Sequence, residues 1–186
     1  VWSTGAFKSG SGTVWEWKNS EPSYPVFVDG KQYVLYSRAT DYAGNEEVWM
    51  SRTSTFSYDG SGPVVQVTSI LDGQHRNTNP STGIVISGTA VDYIGIPANS
   101  IEYAIGEYPS GPWWTWTGST FSAVSVNWLA SNNTASGWPG GSYDQEITWS
   151  TGSIVLQSNY QYVIRVRGVD KAGNTGTEGT QVSFVY

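Results

Sequence analysis

Three aspartates, Asp41, Asp92 and Asp170, each open or close a turn. Carboxylates placed like this can hold calcium, because a hard cation takes several oxygen ligands. The spacing argues for a plainer role. No Asp-x-Asp-x-Asp cluster occurs anywhere, and an aspartate at a turn is satisfied by bonding backbone amides a few residues away. The turn role is therefore preferred, no cofactor or metal is expected, and calcium stands as the disfavoured alternative.

Other reactive types are thinner still. The single histidine, His75, sits beside Arg76 in a polar run, and there is no cysteine. A catalytic triad or a zinc site needs partners that this chain lacks. Glycoside hydrolysis needs two carboxyl groups across a cleft, but Glu102, Glu107, Asp144 and Glu146 are scattered. The adjacent pair Glu46 and Glu47 follows a turn and reads as solvated. No catalytic residue is expected, and the chain is read as not an enzyme.

Ten tryptophans are the most unusual feature of the composition. Trp113, Trp114 and Trp116 follow Gly111-Pro112, and Trp128 and Trp138 come soon after. Exposed indoles stack on sugar rings or mark a contact surface. Trp113, Trp114, Trp116 and Trp138 are the candidate contact or glycan-binding residues, with packing in a core or between domains weighted above sugar binding. Asn132-Asn133-Thr134 matches a glycosylation sequon, a short and common motif.

These residues must be positioned by strands. Tyr160 to Asn174 reads YQYVIRVRGVDKAGN, and Lys31 to Asn45 reads KQYVLYSRATDYAGN. The two copies are identical at eight of fifteen positions, a tandem-repeat signature. Tyr162, Ile164, Val166 and Gly168 alternate with Val163, Arg165, Arg167 and Val169. Alternation of this kind predicts a strand, with the first set toward a core and the second toward water. Tyr33, Leu35, Ser37 and Ala39 take the inward places in the earlier copy. Each strand is followed by Asp-x-Ala-Gly-Asn, from Asp41 to Asn45 and from Asp170 to Asn174, which predicts a hairpin turn. The returning strands end in Phe56-Ser57-Tyr58 and Phe184-Val185-Tyr186.

A large apolar residue lies six positions before each tyrosine, Phe27 before Tyr33 and Leu156 before Tyr162. With the alternating strand and the Asp-x-Ala-Gly-Asn turn, this resembles the immunoglobulin-like and fibronectin type III-like domains of bacterial surface and secreted proteins. The resemblance implies an all-β, immunoglobulin-like β-sandwich. It also implies that Tyr33 and Tyr162 are corner tyrosines, whose hydroxyls bond upstream backbone. It implies architecture rather than activity, since sites are grafted onto folds.

The division that follows is a partial domain over 1–61, lacking its early strands, and a complete one over 62–186. Asp59-Gly60-Ser61-Gly62-Pro63 is the boundary, short and punctuated by Gly and Pro. In the second unit, strands are predicted over 64–70, 83–92 and 100–106, with one or two more over 113–128. Another starts at Glu146 and ends at Trp149 or as late as Leu156. Gln74 to Thr82 and Asn132 to Gly141 read as loops.

A net charge of −6 from nine basic and fifteen acidic residues disfavours nucleic acid and anionic membrane surfaces. No apolar run is long enough to span a bilayer, and no signal peptide opens the chain. The start at Val1 reads as a processed form or a piece of something longer. The expected role is structural: a segment of an extracellular or cell-surface fibre, stalk or adhesin. Its partners would be neighbouring immunoglobulin-like domains or copies of itself, with strands from outside the segment completing the first unit by strand donation. The alternative is a carbohydrate-binding module of a secreted polysaccharide-active enzyme, with glycans as partners.

Overall fold

The computed structural model describes residues 6–7, 15–16, 26–36, 39–47, 53–76, 83–108, 115–123, 125–133, 145–179 and 181–186. Among these residues every regular element is a strand. Two small antiparallel pairs come first. β1 (Ala6–Phe7) pairs with β2 (Trp15–Glu16), and β3 (Lys31–Tyr36) pairs with β4 (Thr53–Tyr58).

The rest of the chain builds two larger sheets. Its strands are β5 (Val64–Val67), β6 (Gln74–His75), β7 (Ser87–Asp92), β8 (Ile101–Tyr108), β9 (Thr115–Trp116) and β10 (Phe121–Ala123), then β11 (Leu129–Ala130), β12 (Asn132–Asn133), β13 (Gln145–Ser150), β14 (Gln161–Gly168) and β15 (Val182–Val185). One sheet runs β12-β13-β7-β5. The other runs β10-β9-β8-β14-β15-β6, with β11 also paired to β8. All pairings are antiparallel except β15 with β6, which is parallel.

The two sheets face each other as a β-sandwich, and alternation decides which side chains meet between them. Val65, Ala90, Ile147 and Trp149 come from one sheet. Ile101, Tyr103, Ile105, Tyr162, Ile164, Val166 and Phe184 come from the other. Ile164 and Phe184 are fully buried, and each such side chain contributes roughly 1.5–3 kcal/mol by leaving water. Trp116, Phe121, Tyr162 and Phe184 form an aromatic chain through this core, with successive centroids 5.2, 5.4 and 5.9 Å apart. The Trp149 indole N–H donates to the carbonyls of Gln66 and Thr89, at 3.1 and 3.3 Å, and so ties β5 to β7.

Several sequence expectations need correction. Val163 is buried, not solvated. It lies between Gly106 of β8 and Ser183 of β15, in a strand flanked on both sides. Its face is wet only toward Arg165 and Arg167, where the Arg167 guanidinium lies 4.2 Å from the centroid of the Trp128 ring and pairs with Glu102 at 2.7 Å. Gln74 and His75 are not loop residues but a short strand, held because the Gly73 amide donates to Ser183 and the Arg76 amide to Val185. Asn132 and Asn133 likewise form a short strand on β13. Two-residue strands carry no alternation, so composition could not reveal them.

Candidate functional site

The two repeated turns share the same pair of bonds from asparagine to aspartate. Asp41 Oδ1 accepts from the amides of Ala43 and Asn45, and Asp41 Oδ2 accepts from the Asn45 side-chain amide at 2.8 Å. Asp170 Oδ1 accepts from the Asn174 amide, and Oδ2 from the Asn174 side chain, both at 2.8 Å. Gly44 and Gly173 have φ of 88° and 91°, a conformation that favours glycine. The two tyrosines also match. Tyr33 Oη accepts from the Val28 amide at 2.6 Å, and Tyr162 Oη accepts from the Gln157 amide at 2.9 Å. Both amides lie five residues upstream.

The surroundings of the two copies differ. Tyr162, Ile164 and Phe184 are fully buried, whereas Leu35 is 44% and Phe56 38% exposed. Phe27, Tyr33, Phe56 and Tyr58 form an aromatic cluster on the first hairpin, with centroids 4.9–5.6 Å apart. It includes an edge-on contact of Phe27 with Tyr33.

Between the hairpin and the sandwich runs the segment from Asp59 to Pro63, and it is held from both sides. Asp29 accepts from the Gly60 amide at 2.7 Å and from the Ser61 hydroxyl at 2.6 Å. These bonds hold the Asp29 carboxyl below its usual range, the Ser61 hydroxyl first. From the other side, the Asn174 side-chain amide donates to the Asp59 carbonyl at 3.0 Å. Gly62 lies so close to Thr175 and Gly176 backbone that a Cβ there would collide with it. The Tyr93 ring packs over Gly30, where an added Cβ would stand 3.4 Å away.

Three carboxylates meet at this junction. Along β7 the inward positions are Gly88, Ala90 and Asp92, and along β14 they are Tyr162, Ile164, Val166 and Gly168, with Asp170 next in the same parity. Strand periodicity therefore ends two facing core rows in aspartate, at the same end of the sandwich. Asp59 arrives from the linker. One oxygen from each of Asp59, Asp92 and Asp170 lies within 4.8 Å of the other two. Asp92 and Asp170 are buried, at 6% and 2% exposure. Asp92 Oδ1 accepts from the amides of Ile94 and Gly95.

Asp59 is the strained member. Its Oδ2 is sealed from solvent and accepts no hydrogen bond. Burial, and then the charge of Asp92, push its carboxyl up to about 6. Burial also raises Asp92, against the opposing pull of the Gly95 amide. Like charges this close need a counter-charge, either a shared proton or a cation. With a proton in that role, the raised carboxyl favours the fold in acid. That contribution is lost as pH rises through about 6. The donor set also suits a hard cation, since it offers carboxylate oxygens alone, one of them without a partner.

Sequence reasoning grouped Asp92 and Asp170 with Asp41, but Asp41 lies elsewhere. β3 and β4 pair Lys31 with Tyr58 and Tyr36 with Thr53. Asp59 therefore leaves one end of the hairpin, and Asp41 follows the other. In the sequence, Asp59 stands only as part of the linker. Its one signal in sequence was an acidic residue directly after the returning strand.

The remaining candidates do not assemble into a site. Trp113, Trp114, Trp138 and Asp144 lie outside the described residues. Trp116 is not on a surface platform: its side chain is buried against Phe121. Glu102 pairs with Arg167, Glu107 is raised by burial, and Glu146 sits in the opposite sheet. His75 is exposed on β6. A shallow cleft of about 280 Å³ is lined by Asn99, Asn132, Asn133 and Thr148 and carries no charged group. No helix of the described residues is long and apolar enough to cross a membrane. No family model matches the chain, and neither curated proteins nor solved structures match it.

Proposed function

We propose that this chain is a segment of an extracellular tandem-repeat protein, built from immunoglobulin-like units and acting as a fibre, stalk or adhesin element. The observation that carries this reading is the linker held from both sides. Asp29 grips Gly60 and Ser61 from the first unit, and Asn174 grips Asp59 from the second. A tether of two flexible domains needs no such bonds, while a load-bearing rod does. The repeated turn and corner geometry supports the same view, because like units stack with like junctions.

The first hairpin supplies a contact surface. Leu35, Phe56 and Tyr58 present residues of the same character as the buried Ile164, Phe184 and Tyr186 of the second copy. Strands from a neighbouring segment or subunit would cover them, adding to the sheet beside β3. The carbohydrate-binding alternative loses one of its four platform candidates with the burial of Trp116.

Small-angle scattering of the whole chain tests the reading. A fixed, elongated two-lobed envelope that does not vary with salt is expected. A broad distribution of inter-lobe distances would overturn it. Saturable tryptophan quenching by a soluble glycan would favour the alternative instead.

A further inference from the structure

We infer that Asn132 is an acceptor for an N-linked glycan, a modification site on the open edge of the smaller sheet. Asparagine is glycosylated where Ser or Thr stands two places on and the residue between is not proline. Asn132-Asn133-Thr134 is the one triplet in the sequence that meets both conditions, because Asn79-Pro80-Ser81 carries the barred proline. The motif is short, so the fold has to supply the rest: an exposed side chain, an unengaged amide and space for a sugar.

It supplies all of them. Asn132 and Asn133 are neighbours on β12, and neighbouring strand residues face opposite ways. Asn133 is the buried one. Its Oδ1 accepts from the Ile101 amide at 3.3 Å, and its Nδ2 donates to the Pro97 carbonyl at 2.9 Å. These bonds fix which of the two turns inward, and a one-residue slip of β12 would break them. Asn132 is therefore turned outward and is exposed. Its side chain makes no hydrogen bond among the described residues. It opens onto the cleft of about 280 Å³ shared with Asn99, Asn133 and Thr148. Asn99, at a φ of 56°, is held there by donating its backbone amide to the Asn133 carbonyl at 3.3 Å. Amides and a hydroxyl both donate and accept, so this lining suits a sugar on Asn132 without burying any charge.

The placement gives the glycan a task. β12 ends its sheet, with β13 as its partner. An edge strand offers unpaired backbone groups to other chains, and natural sheets blunt such edges. A glycan on Asn132 shields this edge and leaves the exposed first hairpin as the surface open to pairing.

The transfer balances with a lipid-linked oligosaccharide pyrophosphate as donor. A bond forms between Asn132 Nδ2 and C1 of the first sugar, and the bond from C1 to the pyrophosphate oxygen breaks. The pyrophosphate leaves with the electron pair, and one amide proton passes to a base. Nothing is oxidised or reduced. The inference rests on the extracellular reading, since such transfer acts on chains that leave the cytoplasm.

Mass spectrometry of the protein recovered from the secreted or surface fraction of its source tests it. Peptides containing Asn132 should carry a sugar mass in most molecules, with fragmentation placing that mass on Asn132. Bare Asn132 in that fraction would overturn the inference and leave the repeat-segment reading intact. Protein found only inside the cell would overturn the extracellular reading instead. Secreting the same chain through a glycosylating host then decides the site by itself, and bare Asn132 there would overturn it. In that host Asn132→Gln and Thr134→Ala should each abolish the sugar, and Thr134→Ser should retain it. Asn132→Gln should also leave the urea midpoint of the unglycosylated chain unchanged, since the side chain is exposed. A sugar mass that survives Asn132→Gln would overturn the assignment.

Discussion

The side-chain amide of Asn174 donates to the backbone carbonyl of Asp59 at 3.0 Å, across 115 positions of sequence. The same amide nitrogen donates to Asp170 Oδ2 at 2.8 Å. One asparagine thus closes its own turn and holds the linker that enters the unit. In the first copy Asn45 closes its turn on Asp41 in the same way. The motif is a turn by sequence and a latch by position.

The linker's glycines are fitted parts. Gly62→Ala should force its Cβ into the backbone of Thr175 and Gly176, neither of which can swing aside. Overpacking of this kind costs about 1–3 kcal/mol. Urea denaturation should show a lower midpoint, and scattering a wider spread of inter-lobe distances. Gly44→Ala lies in open space, but its φ of 88° makes it strained, so it should lower stability without widening that spread.

The two corner tyrosines should respond unequally. Tyr162→Phe strips the partner from the Gln157 amide at the edge of the sandwich core. The bond is part-buried, and losing it costs about 0.5–1.5 kcal/mol. Tyr33→Phe removes the matching bond to Val28, which lies at an exposed site where water replaces it. Its effect should be at most half as large by the same denaturation measurement.

Trp116 tests packing against display. Trp116→Ala should destabilise the fold by about 3–5 kcal/mol, as large aromatic truncations in cores do. The loss of near-ultraviolet circular dichroism on mild heating would report it. A folded, equally stable variant with weakened glycan binding would be the opposite result.

Acid should loosen the linker at Asp29. Its carboxyl is held below the ordinary range by the Ser61 hydroxyl and the Gly60 amide. A lowered carboxyl contributes stability above its unfolded value, and that stability is lost as pH falls through the folded value. The Gly60 and Ser61 amide resonances should therefore titrate with a midpoint below 3.8, the ordinary value for aspartate. Asp29→Asn should abolish that transition.

Much of the sandwich was legible because it rests on local rules. Alternation in Tyr162 to Gly168 placed β14 and its core face, since side chains on a strand must alternate. The Asp-x-Ala-Gly-Asn run placed the turns, since Gly44 and Gly173 must take positive φ. Where a rule needs several residues to register, short elements escaped it, as Gln74–His75 and Asn132–Asn133 did. Val163 escaped for another reason. Its parity follows from alternation, but the burial of a second face depends on what the chain later lays beside it.

Chemistry at the junction was beyond any local rule. Sequence alone determined that Asp92 and Asp170 sit at the ends of alternating rows, and that a Gly-Pro linker lies between two copies of one motif. Only the packed chain decided that Asp59, rather than Asp41, completes the cluster. The physical reason is that two sheets closing over one core bring their row ends together, and the linker must pass where those rows end. Distance along the chain carries no record of that meeting, because pairing and packing set it and spacing does not.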